Sequence, residues 1–214
     1  MYQFLIEYRL RDTAKEYARD IIFDIARKFR IAGSTNFTGY PGHPRNRALP
    51  PHMVLYGTAT TNDIKKVIST VEKIARNYTT VPFRINKEIL NLHNKAVCFT
   101  VTPSKMLEEL RWELARELNK FCNPKPYDLE HGFIFHFTIA NDRDASKIKR
   151  ILSYINPGAL RIFNLHLTRL TVLEDGKDDI VCEYDLLFHK WLTSDQANDP
   201  KLWNKTVAKL NELQ

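Results

Sequence analysis

Long apolar runs are missing from this chain. No stretch approaches the ~20 consecutive apolar residues that a membrane-spanning helix needs, so no membrane association is expected. The N-terminus, Met1-Tyr2-Gln3-Phe4-Leu5-Ile6-Glu7, carries an acid within its short apolar run and no basic lead. It reads as a strand, not as a secretory leader. Cysteine is scarce. Cys98, Cys122 and Cys182 are far apart, odd in number and outside any Cys-x-x-Cys spacing. That argues against a disulfide framework and fits reduced thiols in a cytoplasm. Acidic side chains are absent between Asp24 and Asp63. The same window holds Arg27, Lys28, Arg30, Arg45 and Arg47 with His43 and His52, and Lys65 and Lys66 follow it.

The remainder is an ordinary globular composition: 214 residues, 43% hydrophobic and 27% charged, with a formal net charge of +7. Such a length supports a large core, as one domain or as two closely packed lobes. The acid-free window reads either as a solvated basic face or as a surface that gathers polyanions, because clustered positive charge raises their local concentration. Its adjacency to His52 favours the second.

Hydrophobic periodicity gives the element order. Tyr2, Phe4, Ile6 and Tyr8 alternate as one face of a strand. A capping box from Thr13 and Glu16 then opens an amphipathic helix over about 13–30. Residues 31–51 are rich in Gly and Pro and read as a long loop. A short strand over His52–Gly57 and a helix over 62–77 follow. The second half reads as strands over 81–90 and 96–102, a helix capped by Ser104, a strand over 133–140 and a helix capped by Asp144. Strands over about 160–173 and 179–189 flank Glu174-Asp175-Gly176-Lys177, and a last helix begins at Asp199-Pro200. Mixed strands and helices without a linker predict a compact α+β protein.

The chemistry concentrates in Phe133-Ile134-Phe135-His136-Phe137-Thr138-Ile139-Ala140. On a strand, Phe133, Phe135, Phe137 and Ile139 share an apolar face, while His136 and Thr138 sit side by side on the other. An imidazole that moves a proton near neutral pH and a hydroxyl that bonds a phosphate oxygen would both reach one small anion. Pro50-Pro51-His52-Met53-Val54-Leu55-Tyr56 is the counterpart, with His52, Val54 and Tyr56 on one face by alternation. Either histidine alone is most simply structural. Two in matching strand contexts, one in each half of the chain, favour a shared site.

On these motifs the chain resembles the two-histidine phosphoesterases, in the branch of 2′-5′ RNA ligases and RNA 2′,3′-cyclic phosphodiesterases. That family carries two His-x-Thr/Ser-x motifs on strands that face each other across a cleft. His136-Phe137-Thr138-Ile139 matches the second motif in full. His52-Met53-Val54-Leu55 matches the first except that Val54 replaces the hydroxyl residue. The resemblance implies two pseudo-twofold-related lobes, each a mostly antiparallel sheet with helices outside, and an extra C-terminal helix within 195–214. It also implies a metal-independent, cofactor-free RNA 2′,3′-cyclic phosphodiesterase with 2′-5′ ligation as the reverse reaction. One histidine acts as base and the other as acid, and the sequence leaves the assignment open.

The expected partner is RNA with a cyclic phosphate end, met by a cytoplasmic monomer. His52, His136 and Thr138 are the candidate catalytic residues. Val54, Tyr56, His43, Arg45, Arg47 and Arg143 are the candidate substrate-binding residues. Arg143 either stands in for an arginine that many members carry soon after the second motif, here displaced by Asn141 and Asp142, or is a surface charge at a helix entry. The alternative is an RNA-binding protein on the same scaffold with weak or no catalysis, and Val54 and Asn141 sustain it. His166-Leu167-Thr168 mimics the motif without a partner segment, and His131 is out of step with His136 for a zinc pair.

Overall fold

The computed structural model describes residues 1–31, 51–130, 132–175 and 179–214. The loop candidates His43, Arg45 and Arg47, together with His131 and Gly176-Lys177, lie outside the described residues.

In chain order the elements are β1 (Tyr2–Arg9), α1 (Asp12–Phe29), β2 (His52–Thr61), α2 (Ile64–Ala75), β3 (Val81–Leu92), β4 (Ala96–Pro103) and α3 (Lys105–Leu118). They continue with β5 (His136–Asn141), α4 (Ala145–Tyr154), β6 (Phe163–Leu167), β7 (Arg169–Glu174), β8 (Asp179–Asp185), β9 (Lys190–Leu192), α5 (Ser194–Ala197) and α6 (Pro200–Asn211). Two antiparallel sheets result. The chain ends build β2-β1-β7-β8-β9, and the middle builds β5-β4-β3-β6. This is the α+β, two-sheet architecture expected from the sequence. Among the described residues no helix is long and apolar enough to cross a membrane.

Local chemistry explains most boundaries. Ser104 accepts from Leu107 N and Asp144 from Ser146 N, so α3 and α4 start where their caps predict. Each such cap contributes about 1 kcal/mol. The Thr13–Glu16 box does not form. Helix α1 follows Arg11 without a side-chain cap, and the Asp12 carboxylate instead accepts from Trp203 Nε1 of α6 at 2.8 Å. Strand β2 runs on to Thr61 because Ala59–Thr61 pair with Tyr2–Phe4. The single strand expected over 160–173 is two. The chain passes from β6 in one sheet to β7 in the other at Thr168, whose carbonyl accepts from Leu186 N. No turn residue marks that crossing, so periodicity could not show it.

One apolar cluster spans both sheets. Tyr8 of β1 meets Phe83 of β3 edge-on at 5.3 Å and Phe137 of β5 at 6.4 Å. Tyr8 pairs with Met53, the neighbour of His52, and Phe137 is the neighbour of His136. The packing that joins the two sheets therefore also sets how the two histidines approach.

Candidate active site

His52 is the first residue of β2 and His136 the first of β5, and these two strands are in contact. Directly opposed residues of an antiparallel pair share a face. Arg9 opposes His52 and Glu7 opposes Val54, so these four stand on one face of the first sheet. Thr100 opposes His136 and Cys98 opposes Thr138, which defines the corresponding face of the second sheet. His52, Val54, His136 and Thr138 are all half-buried.

The His136 ring is the better defined. Its Nδ1 lies 2.7 Å from the Ile134 carbonyl. A carbonyl only accepts, so Nδ1 carries the proton in the neutral ring and Nε2 keeps its lone pair. Burial holds the ring's pKa below the ordinary value of 6.5; the Ile134 carbonyl opposes that shift, and the nearby His52 adds to it. His136 is thus a neutral imidazole near pH 7 with a basic nitrogen available, and His52 is near enough for its charge to be felt there.

Thr138 Oγ1 lies 3.6 Å from Cys98 Sγ. Burial pushes the Cys98 thiol up to about 11, so it stays a neutral, weak partner that leaves the hydroxyl free to bond a better acceptor. Further along the same face, Asn86 Nδ2 donates to Thr100 and Thr102, and Arg84 Nε donates to Asn86. On the first sheet, Glu7 and Arg9 are buried and ion-paired beside His52. None of these was singled out from the sequence. Glu7 and Arg9 carried a faint mark, two charges on the face of β1 opposite its apolar alternation.

Two sequence expectations are corrected. Tyr56 does not share the His52 face. Between the Glu7–Val54 and Ile6–Tyr56 pairs the register shifts, with Leu55 as the extra residue. That bulge turns Tyr56 into the core, where it is fully buried, packs against Phe4 and has its pKa raised by burial. Arg143 is exposed and lies past the far end of β5, whose first residue is His136. At about 3.3 Å per strand residue it is not brought to the histidines. His166 opposes Pro82 on β6, away from the β2–β5 contact, as expected of a mimic. Among the described residues no group of three or more His, Cys, Asp or Glu side chains could hold a metal ion.

The valine makes a direct test. A threonine at this position would present a hydroxyl on the His52 face, and a hydrogen bond to a charged group contributes roughly 1.5–3 kcal/mol. Val54→Thr is expected to raise kcat/KM on a cyclic-phosphate RNA about tenfold, and Thr138→Val to lower it by at least as much. Steady-state rates of the two variants check this; an unchanged rate in Thr138→Val removes the hydroxyl from the site.

Residues 23–179 match the family model described as the 2′-5′ RNA ligase superfamily. No curated protein matches the chain in sequence. The solved structure of Usb1 from Kluyveromyces marxianus is similar at 13% identity and a TM-score of 0.42, over 79% of this chain and 92% of that one. Its complex with uridine monophosphate is similar at 15% identity and a TM-score of 0.43, over 82% and 93%. LigT from E. coli, complexed with 3′-AMP, is similar at 13% identity and a TM-score of 0.41, over 81% and 86%.

Proposed function

As the chain belongs to the 2′-5′ RNA ligase superfamily, we propose that it is a metal-independent RNA 2′,3′-cyclic phosphodiesterase in which His52 and His136 act on one phosphate. The observation that carries this reading is the state of His136. Its Nδ1 is committed to a backbone carbonyl, its pKa is lowered, and His52 lies within electrostatic reach.

The roles follow from proton accounting. Neutral His136 takes a proton from water through Nε2 as the water oxygen attacks phosphorus. The bond from phosphorus to one ribose oxygen breaks, and His52 gives that oxygen a proton. Thr138 holds a non-bridging oxygen as charge develops. With a ribose-linked 5′-hydroxyl in place of water, the same sequence, with the 3′ oxygen leaving, forms a 2′-5′ bond. The basic window around His43, Arg45 and Arg47 steers the polyanion toward the site. Cytoplasmic action fits the three free thiols.

The test is turnover of an RNA ended by a 2′,3′-cyclic phosphate, in EDTA. Product is expected at the same rate with and without chelator, and activity lost in EDTA and restored by zinc would contradict the reading. The pH profile adds a signed expectation. Because the pKa of folded His136 lies below 6.5, the base stays neutral past that point, and the acid limb of kcat/KM falls below pH 6.5. The stability linked to this residue is complete above 6.5 and is lost as pH falls through the folded value. An acid limb above 6.5 would remove His136 as the base. Val54 and the distant Arg143 favour a second reading, an RNA-binding protein without catalysis; it takes over if the wild type only binds.

A further inference from the structure

We propose that Glu7 is a positioning residue for His52: its unshared carboxylate oxygen faces the His52 Nε2 proton and holds the ring ready to protonate the leaving oxygen. The inference rests on the phosphodiesterase reading above.

Glu7 Oε2 lies 3.7 Å from His52 Nε2, with Glu7 fully buried and His52 16% exposed. The other oxygen, Oε1, accepts from Arg9 Nε at 2.5 Å. Among the described residues Oε2 itself has no hydrogen-bond donor. An isolated oddity of this kind would carry little, but the rest of the face makes a control. Glu183 is also buried, and both of its oxygens are used by Arg169, Arg11 and Thr171. Asp185 is buried, and its oxygens accept from Arg169, Thr206, Leu187 N and Phe188 N. Buried carboxylate oxygens are normally satisfied in this way. On this face the carboxylate with an oxygen to spare is the one aimed at the candidate acid.

The charge on the face points the same way. The groups around Glu7 are Arg9 on β1, Arg11 before α1, His52 and Val54 on β2, Thr171 and Arg169 on β7, Glu183 and Asp185 on β8 and Thr206 on α6. His136 on β5 is within electrostatic reach of His52. The guanidiniums of Arg9, Arg11 and Arg169 balance the carboxylates of Glu7, Glu183 and Asp185. A proton on His52 is then the unbalanced charge, and Glu7 is the acid 3.7 Å from it. Arg9 holds the Glu7 carboxylate in place, so Glu7 acts through His52 and moves no proton itself.

The experiment compares wild type, Glu7→Gln and His136→Ala on a cyclic-phosphate RNA, with thermal unfolding and long-range 1H–15N spectra of the histidine rings. Glu7→Gln keeps the shape and removes the charge. A folded Glu7→Gln protein should lose about tenfold or more in kcat with KM within about twofold, since the interaction serves proton transfer and not substrate binding. A wild-type kcat, or a loss that only tracks the unfolded fraction, overturns the proposal. If Glu7→Gln does not fold, the wild-type spectrum decides. A proton on His52 Nε2 at the pH of maximal turnover supports the proposal, and an unprotonated Nε2 overturns it. Wild-type turnover no faster than His136→Ala would sink the phosphodiesterase reading instead, a separate result.

Discussion

His136→Ala is expected to lower kcat on a cyclic-phosphate RNA by about 10²–10⁴-fold while leaving RNA binding within a few-fold, because general base catalysis contributes in that range. The ring bonds the Ile134 carbonyl through Nδ1 and is half-buried, so the truncation removes the basic nitrogen without opening a large cavity. His52→Ala should fall in the same range for the loss of the acid. Both losses exceed the one ascribed to Val54, since a missing hydroxyl removes one anchor on the phosphate and a missing imidazole removes a proton path. Rates under saturating RNA, with binding measured separately, check the split. A His136→Ala rate equal to wild type would place catalysis elsewhere or nowhere.

Arg169→Ala should cost about 3–5 kcal/mol of folding free energy, measured by urea unfolding. Arg169 is nearly fully buried. Its Nε bonds Asp185 at 3.1 Å, its Nη1 bonds Glu183 at 3.0 Å, and its Nη2 reaches the Leu202 carbonyl at 3.1 Å and Thr206 at 2.5 Å. Truncation leaves Asp185 with Thr206 and two backbone amides but no counter-charge, and unfastens α6 from β7. The cost is that of stranding a buried charge, not the net worth of the pair. A loss under about 1 kcal/mol would show that water reaches the network and solvates the carboxylates.

The parts of this molecule that obey a local period were legible in its sequence. Phe4, Ile6 and Tyr8 alternate into the core as written, and His136 and Thr138 fall on the face opposite Phe137 and Ile139. Ser104 and Asp144 cap the helices they precede. Features set by distant pairing were not legible. Tyr56 turns inward because a single extra residue, Leu55, breaks the alternation, and nothing in the chain marks that bulge. Glu7 meets His52 only through the β1–β2 register. Arg169, Glu183 and Asp185 look like surface charges on alternating strands, yet they are buried, where Leu202 and Thr206 of α6 bond Arg169 and Asp185 and α5 packs against β8. The break at Thr168 is hidden within a run of strand-forming residues that serves two sheets.

The central claim is that His52 and His136 work as a unit on one phosphate, and a double-mutant cycle measures that most directly. Wild type, His52→Ala, His136→Ala and the double variant are compared for turnover of a 2′,3′-cyclic-phosphate RNA in EDTA. Groups that serve one transition state are strongly non-additive. The double variant is therefore expected to be about as slow as the worse single variant. Losses that multiply would show two histidines acting independently, and a wild-type rate at the level of the double variant would show that this pair does not catalyse the reaction.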